Sequence, residues 1–231
     1  MEIFSKPFRA LVIGSSGTIG AAFMDLLEHH SNCVAVTGLC RQSDYPIDYL
    51  KPESIELSAA SLAEQAPFQI IINTIGVLHS DRFMPEKRLD DLNAAQLGQI
   101  MQVNAIGPAL TLRYFSKLLD PQAAVMVTLS AKVGSIADNR LGGWYSYRAS
   151  KAALNMMIKT AAIELARTKP NLVLVAMHPG TVSSNLSKPF RGQQIGRPAK
   201  EAVADMFEVI EGLSKEASGS FLSYSGESIP W

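Results

Sequence analysis

Trp144-Tyr145-Ser146-Tyr147-Arg148-Ala149-Ser150-Lys151 runs straight into Ala152-Ala153-Leu154-Asn155-Met156-Met157-Ile158-Lys159. The second half is rich in Ala, Leu and Met, and its apolar residues recur at helical spacing. This predicts a long helix over about 145–167. On that helix Tyr147 and Lys151 are four apart, one turn up the same face, with Cβ atoms about 5–6 Å apart. A phenol ordinarily loses its proton near pH ~10, and an ammonium held beside it favours the phenolate. The pair is therefore expected to donate and accept a proton near neutral pH. Tyr145, six before Lys151, lies on a different face and is the lesser candidate. Taken alone, Tyr-x-x-x-Lys also describes an ordinary solvated helix face, so its meaning depends on the flanking chain.

Working outward, short apolar runs alternate with helical patterns. Residues 9–13 (Arg-Ala-Leu-Val-Ile) end at Gly14, and an amphipathic helix follows Gly20. Strands are predicted at 33–39, at 54–57 (Ser-Ile-Glu-Leu), at 69–73, at 124–129 and at 173–177, with a last one at 219–224. Helices are predicted over about 90–119, containing Asn104, and over about 199–213. Alternating strands and helices with apolar inner strands predict an α/β fold. The expected architecture is a Rossmann-like doubly wound parallel sheet in three α/β/α layers, a single domain over 1–231. Residues 183–198, rich in Ser, Pro, Gly, Gln and Arg, read as a flexible substrate flap with few walls to offer.

Composition narrows the function. With 21 Lys plus Arg against 21 Asp plus Glu the formal net charge is zero, and no basic cluster marks a nucleic-acid or membrane face. Only Cys33 and Cys40 are present, too few for a disulfide framework and consistent with a reducing compartment. No signal-peptide pattern opens the chain and no apolar run reaches spanning length, so a cytoplasmic protein is expected. No metal-ligand cluster is expected either.

Gly14, Gly17 and Gly20 stand between the first strand and its helix. There a glycine turn lets backbone N–H groups approach a pyrophosphate at the helix N-terminus. The spacing is not Gly-x-Gly-x-x-Gly, and a tight turn without ligand has the same pattern. Arg41 follows the second strand, where a carboxylate would accept from ribose hydroxyls and an arginine would pair with a 2′-phosphate. No acidic residue occupies the strand end (Thr37-Gly38-Leu39-Cys40), although Asp44 follows shortly. NADP is favoured, with NAD as the alternative.

Tyr147, Lys151, the Gly14–Gly20 turn, Asn73-Thr74-Ile75-Gly76, Asn104 and Pro179-Gly180, in this order, resemble the short-chain dehydrogenase/reductase family. The finer likeness is to its C-factor-type and carbonyl-reductase-type branch. It rests on Gly142 to Asn155 and on the closing Gly226-Glu-Ser-Ile-Pro-Trp231. The resemblance implies that Tyr147 exchanges the proton of a carbonyl or alcohol substrate. Lys151 would hold nicotinamide ribose hydroxyls, and Asn104 would position a proton-relay water or relieve strain at a helix kink. It implies a cofactor lined by Gly14, Ser15, Ser16, Gly17, Ile19 and Gly20, by Asn73, Thr74, Ile75 and Gly76, and by Pro179, Gly180, Val182 and Ser184. Glu56, beside Leu57, stands where the family often has an aspartate near the adenine. Pairing of the two long helices into a homodimer or homotetramer is implied as well.

Three departures stand out. Thr18 is not glycine, and Ile13 replaces a usual threonine. The serine pair at the end of the 124–129 strand reads Ser130-Ala131, where the family's second member orients the substrate carbonyl. Ser130 is assigned the role. Ser135 swinging in, or Tyr147 alone holding the oxygen, are the other readings. His178, before Pro179 and without a carboxylate partner in the sequence, reads as a histidine packed at a sheet terminus. Met156, Met157 and Ile158 read as core or interface filler, and Trp144 and Tyr145 as substrate entrance or helix cap. The resulting expectation is NADP-dependent interconversion of a small carbonyl compound and its alcohol. A cofactor-binding regulatory protein with little turnover is the alternative.

Overall fold

A computed structural model describes residues 2–231; Met1, part of the expected 1–231 domain, lies outside the described residues. Six parallel strands form one sheet in the order β2-β1-β3-β4-β5-β6. They are β1 (Phe8–Ile13), β2 (Cys33–Leu39), β3 (Ile70–Asn73), β4 (Ala124–Leu129), β5 (Leu172–His178) and β6 (Ser220–Ser223). The inner strands β3 and β4 are buried at every position, as a sheet covered on both faces requires. Side chains alternate cleanly. Leu11, Ile71, Met126, Leu174 and Ala176 face one layer; Ala10, Val12, Ile72, Val127 and Val175 face the other.

The first layer holds α2 (Pro52–Ser61), α3 (Ala94–Met101), α4 (Gly107–Phe115) and α5 (Tyr145–Leu165), and α2, α4 and α5 contribute its buried apolar residues. The second layer holds α1 (Thr18–Glu28) and α7 (Ala199–Glu211). The chain leaves β1 for β2 on one side and returns to β3 on the other. That reversal opens a crevice beyond the carboxyl ends of β1 and β3, where ligands bind in open α/β sheets.

Two elements depart from the sequence reading. Residues 54–57 are not a strand but the middle of α2, which Pro52 starts in its first turn with Glu53 beside it. Proline is pre-organised for a helix start and an acidic side chain suits the positive end of the dipole. The helix expected over 90–119 is shorter. Asn93 caps it by accepting the Gln96 N–H at 2.9 Å, and a π turn at Gln102–Ile106 interrupts it before α4. Gly107 follows this turn because a Cβ there would meet the Tyr49 ring at 2.4 Å. No helix among the described residues is long and apolar enough to cross a membrane.

Candidate active site

β1 ends at Gly14, whose φ of +89° suits glycine. Its carbonyl accepts the Gly17 N–H at 3.0 Å. Gly20, in the first turn of α1, packs so closely that a Cβ would lie 2.1 Å from the Gly14 oxygen. No side chain caps α1, so its opening backbone faces the crevice without competition from a cap. Gly14, Ser16, Gly17 and Arg41 line a cleft of about 680 Å³ together with Thr74, Ile75 and Gly76. This cradle fits a dinucleotide: bare backbone at the turn, a helix start behind it, and a cation at the β2 end. Ser15 turns instead toward β2, its N–H donating to the Leu39 carbonyl at 3.0 Å.

Thr74, Ile75 and Gly76 also line a second cavity of about 420 Å³, so the two adjoin just beyond the end of β3. Ser130, Tyr147, Lys151, Ile19, Pro179, Gly180, Val182 and Ser184 all line this second cavity. Asn73 lies beneath it, fully buried, with Oδ1 accepting the Ile75 N–H at 3.2 Å. Asn104 sits in the π turn. Its Oδ1 accepts the Val77 N–H at 2.8 Å, while Nδ2 donates to the Val77 carbonyl at 2.7 Å and to Ser150 Oγ at 3.1 Å. A Cβ on Gly76 would lie 3.5 Å from Lys151 Nζ and 3.6 Å from Asn104 Oδ1, so that glycine lies over both polar groups.

The Tyr147–Lys151 pair differs from its expected form. Lys151 Nζ donates to the Leu129 carbonyl at 2.9 Å and lies 5.9 Å from the Tyr147 ring centroid. Burial pushes the Tyr147 phenol well above its ordinary range. Burial likewise lowers the Lys151 ammonium from 10.5 to about 8. In the protein alone desolvation outweighs the neighbouring charge, so the expected lowering of the phenol is not met. Tyr147 therefore carries its proton at neutral pH.

Two assigned cofactor residues lie elsewhere. Glu56 Oε2 accepts the Tyr114 hydroxyl at 3.0 Å on the outer side of α2, and Leu57 is 64% exposed. The α2 helix carries both out of the groove, and Asp48, Tyr49 and Leu50 line the cleft in their place. Reading 54–57 as a strand concealed this, because the crevice is lined by the chain before α2. Asp44 does not line the cleft, whereas Arg41 does.

Sequence reasoning also missed Glu86. Its carboxylate is 2% exposed and accepts from Ser146 Oγ and from the Ser146 N–H, while its backbone oxygen accepts the Trp144 N–H. Trp144 at φ +53° begins α5 without a side-chain cap of its own, and Glu86 supplies that cap from 60 residues away. No local pattern signals a contact at that separation. Trp144 both begins the helix and lines the cavity, 6.2 Å from Tyr147 and 4.9 Å from Phe190. The 183–198 segment carries a 3-10 turn (Lys188–Phe190) and a short α6 (Gly192–Ile195). Contrary to expectation it contributes walls, among them Leu186, Phe190 and Ile195. The carbonyls of Asn185 and Leu186 each lie 3.2 Å from His79 Nε2. Ser135 is tied to a turn, its Oγ accepting the Asp138 N–H at 3.1 Å. Ile158 is core, but Met156 and Met157 are exposed. Cys33 and Cys40 are free thiols, and the described residues hold no group of three or more metal-ligating side chains.

The sequence model of the family described as "short chain dehydrogenase" matches residues 9–195. A dehydrogenase of Rhodococcus sp., 1-hydroxy-2-glutathionyl-2-methyl-3-butene dehydrogenase, is 31% identical over 80% of this chain and 78% of its own. The C-signal protein of Myxococcus xanthus is 35% identical over 71% of this chain and 93% of its own. Among solved structures, the NADPH-bound carbonyl reductase from chicken fatty liver is 25% identical. It superposes with a TM-score of 0.83 over 98% of this chain and 100% of its own. With the glycine turn, the Tyr147–Lys151 helix and this match over most of its length, the chain belongs to the short-chain dehydrogenase/reductase family, an oxidoreductase family.

Proposed function

We propose that this protein is an NADP-dependent oxidoreductase interconverting a small carbonyl compound and its alcohol. The observation that carries the reading is a pair of adjoining cavities. Thr74, Ile75 and Gly76 line both the cleft at the glycine turn and the cavity walled by Tyr147 and Lys151. A bound nicotinamide would supply or take up the hydride. Tyr147, protonated at neutral pH, gives its proton to the developing alkoxide in reduction and receives it in oxidation. Lys151, pulled down to about 8 by burial, holds an N–H donor toward the groove beneath Gly76. Asn104 holds the Val77 backbone that floors this region. Arg41 at the cleft wall supports the 2′-phosphate form of the cofactor. The cavity walls are mostly apolar, which suits a substrate lacking charge away from its carbonyl. Exposed Met156, Met157 and Ile163 on α5 support pairing with a second copy along that helix.

A second reading is a regulatory protein with little turnover. It draws on the C-signal likeness and on the Ser130 hydroxyl, which is spent on Asn155 Oδ1 at 2.6 Å. A panel of ketones and aldehydes with NADPH, followed by the loss of reduced-cofactor absorbance, separates the two. Turnover of panel members supports the enzyme. Micromolar NADPH binding with no turnover across the panel supports regulation and contradicts the enzymatic proposal. Fluorescence titration is expected to show NADPH binding at least about tenfold more tightly than NADH, the scale of one charge-assisted phosphate contact. Equal affinities would contradict the role given to Arg41.

A further inference from the structure

A carbonyl oxygen that gains charge in reduction needs preorganised donors beyond the proton source. Tyr147 is one donor. The position at which the family carries another donor is occupied by Ala131, which lines the cavity without a hydroxyl. Ser130 does not replace it as the protein stands. A serine hydroxyl has one proton, and Ser130 gives it to Asn155 Oδ1 at 2.6 Å in a buried pair.

The neighbouring strand end offers a different group. The parallel register aligns Leu129 with Met177, and the Ser130 N–H donates to the Met177 carbonyl at 2.8 Å. His178 therefore stands beside Ser130 and Ala131 at the carboxyl edge of the sheet. It lines the same cavity as Tyr147, Lys151 and Ala131. Its Nδ1 is buried with no hydrogen-bond partner among the described residues. The ring makes no hydrogen bond among the described residues, and of its two nitrogens Nδ1 is the one sealed from solvent, so Nε2 is the one open to a partner that enters the cavity. Burial first, then the charges of Lys132 and Lys151, lower the imidazole to about 4 and keep the ring neutral. A neutral imidazole carries one N–H. No carboxylate lines the cavity, so no acidic partner there charges the ring or takes its N–H.

We propose that His178 donates its imidazole N–H to the substrate carbonyl oxygen, supplying the contact that Ala131 lacks. The proposal rests on the oxidoreductase reading above. The test compares the wild type, Tyr147→Phe, His178→Ala, His178→Gln and the double variant His178→Ala/Ala131→Ser with a panel carbonyl and NADPH. His178→Ala is expected to lower kcat about 100-fold, the usual scale for one lost oxyanion donor, with NADPH affinity by fluorescence unchanged. Turnover should recover at least about tenfold when a donor returns, either as the glutamine amide or as the hydroxyl that Ala131→Ser introduces. The proposal is overturned if His178→Ala stays within about threefold of wild type, if neither replacement restores turnover, or if NADPH binding falls in parallel. Loss in Tyr147→Phe alongside a fully active His178→Ala would overturn it while leaving the oxidoreductase reading intact. A wild type without turnover would remove both.

Discussion

The tightest steric demand in the groove is at Gly20. An added Cβ would meet the Gly14 oxygen at 2.1 Å and Thr74 Oγ1 at 2.9 Å. The first of these is backbone and cannot rotate away, so Gly20→Ala must shift the Gly14–Gly17 turn. NADPH affinity is expected to fall at least about tenfold in that variant, since in the proposed function the turn would position the pyrophosphate donors. An unchanged fluorescence titration would contradict the cradle. His178 gives a second test at this scale. Its ring is held neutral to about 4 against an ordinary 6.5, so between those values the unfolded chain binds the extra proton. Stability from this group is complete above about pH 6.5 and is lost as pH falls toward 4, by up to roughly 3 kcal/mol. Urea unfolding over this range should show a flatter pH dependence in His178→Gln. An identical dependence would contradict the buried, neutral ring.

At the scale of elements, α5 carries Tyr147, and Glu86 holds its first turn. Removing that carboxylate leaves the Ser146 N–H and hydroxyl unsatisfied in a buried site. Glu86→Ala should therefore cost about 1–3 kcal/mol, with Glu86→Gln recovering part of it. Urea midpoints check this, and an unshifted midpoint in the alanine variant would contradict the cap. The fold was legible in the sequence because β1, β3, β4 and β5 are covered on both faces and read as apolar runs. The α5 helix announced itself by composition and period. The failure at α2 is equally physical. Ser54-Ile-Glu-Leu alternates like a strand over four residues, but Ile55, Ala59 and Leu62 recur at helical spacing and pack together in the core. Within the site, Gly14, Tyr147 and Lys151 were legible because strand ends and one helix face bring them together. The Glu86–Ser146 bond and the commitment of Ser130 to Asn155 were not, since each joins distant segments with no local periodicity.

At the scale of the whole molecule, the two helical layers cover the sheet but leave Met156, Met157 and Ile163 of α5 exposed. Light scattering should give a mass at a multiple of the 25.0 kDa chain. Met156→Asp combined with Ile163→Asp should reduce it toward the monomer, and a monomeric wild type would contradict pairing along this helix. The two cavities lie along the sheet edge from the glycine turn to the Trp144–Phe190 wall, and in the proposed function turnover depends on one proton held by Tyr147. The most direct measurement is NADPH oxidation by Tyr147→Phe with a carbonyl that the wild type reduces, alongside fluorescence titration of NADPH. The account predicts turnover lower by about a thousandfold, within the range that a lost general acid costs, with NADPH affinity unchanged. Turnover equal to wild type in that variant would contradict it.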